Sequence, residues 1–122
     1  MYSRVTRMTE QSKLDELLPL TPTAFHVLVA LANGPRHGYG VAQEVEALTE
    51  GRLVMGPGTL YGSLRRMLDS GLIEEAKNPG EEGVHAERRR YYRMTPVGSA
   101  ALRAEATRLM RTASVAQERL GI

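Results

Sequence analysis

Apolar positions recur at helical spacing in four stretches of the chain. The first opens at Thr21, a helix-capping residue, with Pro22 at the first helical position. Phe25, Leu28, Val29 and Leu31 supply its inward face, and Asn33-Gly34-Pro35 is a strong stop. The second runs from about Gly38 to Thr49 with a stripe of Tyr39, Val41, Ala42, Val45 and Leu48, and Gly51 ends it. The third begins at Gly56 or Pro57 and ends near Asp69-Ser70-Gly71. In it Leu60, Leu64, Met67 and Leu68 fall at the i, i+4, i+7, i+8 positions of an amphipathic helix. The fourth is capped by Thr95, has Pro96 in its first turn and runs to Leu120, about 37 Å at 1.5 Å per residue.

The segments between these helices are short. Arg52 to Met55 reads as a single extended rung. Leu72 to Ala76 reads as a strand, and Asn78-Pro79-Gly80 through Gly83 as a loop of turn formers. Glu87 to Met94 reads as the returning strand of a hairpin. Three helices, a hairpin and a long helix make a mostly α fold with a small β-hairpin: a winged helix-turn-helix with a long C-terminal dimerisation helix. The expected organisation is an N-terminal extension over 1–19, with a short helix at about 12–18, then a DNA-binding domain over 20–95 and the dimerisation helix over 96–122. On the last helix Leu102, Ala106, Leu109, Ala113, Ala116 and Leu120 are spaced 4, 3, 4, 3, 4, a heptad seam. That seam fits packing on its own domain or, more simply given the length and the alanines, a two-fold partner.

Charge alters the picture through its distribution. The balance of 16 basic and 14 acidic residues is near neutral. Yet Arg52 to Arg66 holds three basic residues and no acid, and Arg88 to Arg93 holds four and no acid. Between Thr21 and Gly51 one arginine faces Glu44, Glu46 and Glu50. Local basic blocks are what a nucleic-acid surface requires. There is no cysteine, hence no disulfide or thiolate metal site. No stretch is long and apolar enough for a membrane span, and the first residues lack the apolar core of a signal peptide, so a cytoplasmic protein is expected.

The third helix carries the sharpest chemistry. Opposite its leucines the face centres on Gly62 and Asp69, with Thr59 and Arg66 on one shoulder, Gly58 and Arg65 on the other, and Tyr61 and Ser63 nearer the boundary. A face of small, hydroxyl and arginine residues suits a major groove, where arginine reads guanine and hydroxyls take phosphate oxygens. The helix N-terminus adds free N–H groups. Gly62, at the centre of that face, would let the backbone approach base edges. The second block, Arg88-Arg89-Arg90-Tyr91-Tyr92-Arg93, alternates along a strand, so at least one tyrosine should cover the core while arginines reach phosphates or a minor groove. Each block alone equally fits a solvated face or a charged edge strand. Their order along the chain favours DNA.

Catalysis finds no candidate set. His26, His37 and His85 stand 11 and 48 residues apart, without a ligand partner at helical spacing, and no nucleophile motif or phosphate loop is present. No catalytic residue, metal or cofactor is expected. The alternative to a DNA-binding regulator is a winged-helix interaction module whose basic wing takes an acidic protein.

Four stretches then carry a resemblance: His37-Gly38-Tyr39, Gly58-Thr59-Leu60-Tyr61, Ser70-Gly71-Leu72-Ile73-Glu74 and Arg89-Arg90-Tyr91-Tyr92-Arg93-Met94-Thr95. From about Leu20 to Leu120 the chain resembles the PadR family of bacterial transcriptional regulators, in its short form with one C-terminal helix. The resemblance implies a winged-helix homodimer that represses from a pseudo-palindromic operator. It also implies release by a small apolar or aromatic effector near the dimer interface. Carried over by position, Tyr39, Thr59, Tyr61, Ser63, Arg65 and Arg66 become DNA-contact candidates, with Arg88, Arg89 and Arg90 on the wing. Three positions depart from the family pattern. Gly56 stands where a serine cap is common, Gly62 where proline is common, and Leu109 where many members carry a tryptophan that stacks on ligand.

Overall fold

A computed structural model of the chain describes residues 12–77 and 90–122. Residues 12–17 are helical and lead into α1 (Pro22–Leu31), β1 (Arg36–His37), α2 (Gly38–Leu48), α3 (Pro57–Asp69), β2 (Ile73–Ala76), β3 (Tyr91–Met94) and α4 (Pro96–Leu120). Proline occupies the first turn of α1, α3 and α4, and the Thr21 and Thr95 hydroxyls accept from Ala24 N and Gly98 N. Each threonine satisfies one of the orphan donors at a helix start.

The three strands form one antiparallel sheet in the order β1-β3-β2. Tyr91 pairs with His37 on one side and Ala76 on the other, and Tyr92 with Arg36 and Glu75. The extended rung therefore lies at Arg36–His37 and not at Arg52 to Met55, which pairs with no strand among the described residues. After α2 the backbone turns through positive φ at Glu50 (53°) and Gly51 (79°). The Thr49 hydroxyl braces this turn, donating to Val45 O and accepting from Leu53 N. Met55 then anchors the segment in the core.

The sheet order corrects a second expectation. β3 is the central strand, not a solvated edge, and both of its tyrosines are buried. Residues 87–89 of the expected returning strand lie outside the described residues.

The core gathers Val27, Leu28 and Leu31 of α1, Val41 and Val45 of α2, and Leu60, Leu64 and Met67 of α3. Phe25 packs only partly against it. Tyr39 and Leu48, expected in the α2 stripe, are exposed. The start of α4 is fixed by Thr95, whose N–H donates to Leu72 O at 3.1 Å and whose hydroxyl donates to Gly71 O at 2.5 Å. Gly98 sits against the Leu72 carbonyl: a Cβ there would lie 2.1 Å from Leu72 O. Glu105, one turn beyond the buried Ala101, is itself buried and accepts from the Leu20 N–H and from Arg108 Nε. The Arg108 hydrogen bond, reinforced by that backbone donor, holds its carboxyl below the usual range against the opposing effect of burial. From Thr107 to the C-terminus α4 is exposed on all sides.

Candidate nucleic-acid interface

The amino end of α3 projects into solvent. Gly56 is its N-cap, extended at φ −69° and ψ 167°, and gives no side-chain hydrogen bond. The first α-helical bond runs from Leu60 N to Gly56 O, so the N–H groups of Gly58 and Thr59 precede the helical ladder. Pro57, Gly58 and Thr59 are all exposed, and no acid lies in this first turn. The positive end of the helix dipole thus has no carboxylate in its own first turn to neutralise it.

Neighbouring elements set the tilt of α3. The Tyr61 ring lies over Gly38, the first residue of α2; a Cβ at Gly38 would meet Tyr61 Cε1 at 3.1 Å and its hydroxyl at 3.2 Å. A side chain at position 38 would have to displace that ring by a few tenths of an ångström, so glycine here lets the two helices meet through it. The preceding residue, His37, caps α2: its Nδ1 accepts from Gly40 N at 3.0 Å. That bond places the ring proton on Nε2 in the neutral form. The imidazole stacks on Tyr39 at 6.4 Å between centroids and meets Tyr91 edge-on at 5.6 Å. Tyr39 is 65% exposed and Tyr61 51%. The pair flanks a groove of about 300 Å³ between α2 and α3, walled by Val54, Met55, Pro57 and Leu60. The roles of His37 and Gly38 were not read from the sequence beyond the resemblance. The signal available was a residue able to cap a helix directly before Gly-Tyr-Gly.

Gly58, Thr59, Tyr61, Arg65 and Arg66 share the exposed side of α3. Ser63 does not: it is buried on the inner side of the helix. Gly62 is half-buried, because Arg66 folds back over it. Arg65 reaches the other way along the helix, its Nε 3.4 Å from Asp69 Oδ1. On the wing, Arg90 Nη1 lies 3.7 Å from Glu75 Oε1, and Arg93 Nε donates to Glu74 Oε1 at 2.8 Å. These exposed pairs are each worth roughly 0–1 kcal/mol and yield readily to a stronger anion. Beneath them, burial pushes the Tyr92 hydroxyl up, with Arg90 pulling the other way. Arg88 and Arg89 lie outside the described residues. Among the described residues no group of three histidine, aspartate or glutamate side chains could hold a metal, and no helix is long and apolar enough to cross a membrane.

Residues 27–104 match the family model of the transcriptional regulator PadR-like family. The chain is 38% identical over 85 residues to an uncharacterized 37.1 kDa protein of transposon TN4556 from Streptomyces fradiae. That match covers 70% of this chain but only 22% of the relative's length. A transcriptional regulator from Clostridium thermocellum superposes with a TM-score of 0.61 at 27% identity, over 79% of this chain and 87% of that one. A PadR family transcription regulator from Clostridium difficile gives 0.66 at 22% identity, over 82% and 99%. Bacillus subtilis PadR, solved in complex with operator DNA, gives 0.58 at 20% identity, over 70% and 46%.

Proposed function

Because this chain belongs to the PadR-like family of transcriptional regulators, we propose that it is a sequence-specific, dimeric DNA-binding repressor that a small molecule releases from its operator. The observation that carries the reading is the bare amino end of α3: exposed N–H groups at Gly58 and Thr59, no acid in the first turn, and two arginines on the following turns. An amide-rich helix end binds phosphate, and the arginines behind it suit base edges and backbone in a major groove. The Bacillus subtilis relative seen on operator DNA shares this fold and supports the same use of it here.

In this reading residues 20–95 bind DNA, 96–122 form the dimerisation helix and 1–19 are an extension. Tyr39, Gly58, Thr59, Tyr61, Arg65 and Arg66 contact DNA from α2 and α3, and Arg88 to Arg90 follow the backbone from the wing. The seam of Leu102, Ala106, Leu109, Ala113, Ala116 and Leu120 pairs two copies. The effector is a small apolar or aromatic compound near that interface, and with no tryptophan in the chain it binds without stacking on one. The protein works where the DNA is, in the cytoplasm.

Selection of bound duplexes from a random pool, followed by footprinting, tests this reading. The expected result is a two-fold motif with half-sites about 34–36 Å apart, one helical turn. With about six to eight phosphate contacts, log K should fall against log salt with a slope near −5 to −7. Weak, sequence-independent binding beside tight capture of an acidic protein would favour the interaction-module alternative and overturn the repressor.

A further inference from the structure

The two arginines of α3 are held in different ways, and the difference points to a role for a buried serine. Ser63 is 5% exposed, on the inner side of the helix. A buried hydroxyl left unpaired costs about 1–3 kcal/mol. Its partner here is Arg66, one turn on, whose Nη2 donates to Ser63 Oγ at 3.2 Å. The same guanidinium also reaches the preceding position: a Cβ on Gly62 would stand 3.5 Å from Arg66 Nη1. Arg66 is therefore anchored at one amino group and laid back toward the amino end of α3. Arg65 is turned the opposite way, toward Asp69, in a pair whose side chains are 75% and 67% exposed.

We propose that Ser63 is a positioning residue for Arg66 and, through it, sets the base specificity of the protein. This inference rests on the DNA-binding reading above. A free arginine surrenders about 2 kcal/mol of rotamer entropy when it is fixed on a target. Anchoring one Nη2–H on a buried oxygen meets part of that cost before DNA arrives. It leaves the second Nη2–H with one neighbouring donor on the same edge, Nε–H or Nη1–H, enough for a planar two-point contact. The matching base edge carries two adjacent acceptors, as guanine does with O6 and N7. Arg65, held only by an exposed carboxylate, serves as a movable charge for phosphate. The hydroxyl of Ser63 thus acts from inside the fold, without touching DNA.

The experiment combines two readouts on the full chain. The first is nitrogen-15 NMR of the arginine side chains in the free protein. Rotation of the Arg66 guanidinium should be slowed in the wild type and fast in Ser63→Ala; fast rotation in both overturns the anchoring. The second is a double-mutant cycle of Ser63→Ala and Arg66→Ala, measured on the selected duplex and on a scrambled one. Ser63→Ala should reduce the ratio of the two affinities about 3- to 10-fold, the scale of immobilising one flexible side chain. The salt slope should not change, since no phosphate charge is lost. In the Arg66→Ala background the same substitution should change nothing. An unaltered ratio in Ser63→Ala, or an undiminished effect without Arg66, overturns the proposal. An anchored guanidinium in a wild-type chain that binds no duplex overturns the DNA-binding reading itself and takes the specificity role with it.

Discussion

Gly62 and Gly98 are both glycines inside helices, and their surroundings demand opposite things of them. At Gly62 the nearest atom to an added Cβ is Arg66 Nη1 at 3.5 Å, an ordinary contact with the end of a flexible side chain. At Gly98 the nearest atom is Leu72 O at 2.1 Å, part of the backbone that also receives the Thr95 N–H, with Met94 Cγ at 3.0 Å behind it. Gly62→Ala should therefore stabilise the protein by roughly 0.5–1 kcal/mol, the helix-propensity difference. Gly98→Ala should destabilise it by about 3 kcal/mol, since α4 must lift from the end of β2 to admit the methyl. Urea unfolding of the two variants checks both signs. Gly62 also bears on function, because with the helix close to base edges a methyl there would crowd the Arg66 guanidinium that lies beside it. If Gly62→Ala binds operator as tightly as wild type, the close-approach idea fails. The sequence singled out Gly62 through its place on the helical wheel. It gave no hint of Gly98, because that constraint comes from a backbone 26 positions earlier in the chain.

At the scale of elements, legibility followed the number of residues that repeat a pattern. The helix α3 is marked by Pro57 and by four apolar residues over two turns, and it was readable from end to end. β1 is two residues long and exists only because β3 pairs with it, so no alternation could reveal it. The same pairing accompanies the burial of both Tyr91 and Tyr92, where the sequence expects at least one of them to cover the core. Glu105 was likewise invisible: a charged residue beside a heptad seam is normally solvated, and it becomes buried only because Leu20 folds back onto α4. This link has a pH signature. The Glu105 carboxyl sits below its usual 4.5 in the folded chain, held by Arg108 and the Leu20 N–H. Its contribution is therefore complete above that value and is lost as the pH falls through the lower folded value. Glu105→Gln should cost roughly 1–3 kcal/mol at pH 7, the worth of hydrogen bonds to a charged group. The gap between variant and wild type should narrow below pH 4.5. A gap that stays constant from pH 7 to pH 3 would show that the charge on Glu105 does not hold the two segments together.

For the whole molecule, the telling feature is the reach of α4 past the domain that anchors it. Gly98, Ala101 and Glu105 are its buried residues, and Leu102 still packs on the core. Beyond Ala106 the helix lies clear, with Leu109, Met110 and Leu120 exposed to solvent. An isolated helical overhang of this length is marginal in water without a face to bury. The seam expected from the heptad spacing continues along this overhang through Ala113 and Ala116, where small side chains allow a second helix to come close. Ala113→Glu tests the seam cleanly. The position is exposed in the single chain and glutamate is a good helix former, so the domain should melt as before. A charge in the middle of a paired seam should instead split the dimer, turning two linked half-site contacts into one. Operator affinity should then fall about a hundredfold or more, the scale of avidity between linked sites, while binding to a single half-site is unchanged. Sedimentation alongside the binding measurement separates the two effects. If Ala113→Glu remains dimeric at the wild-type concentration dependence, the partner packs elsewhere and the seam is not the dimer contact.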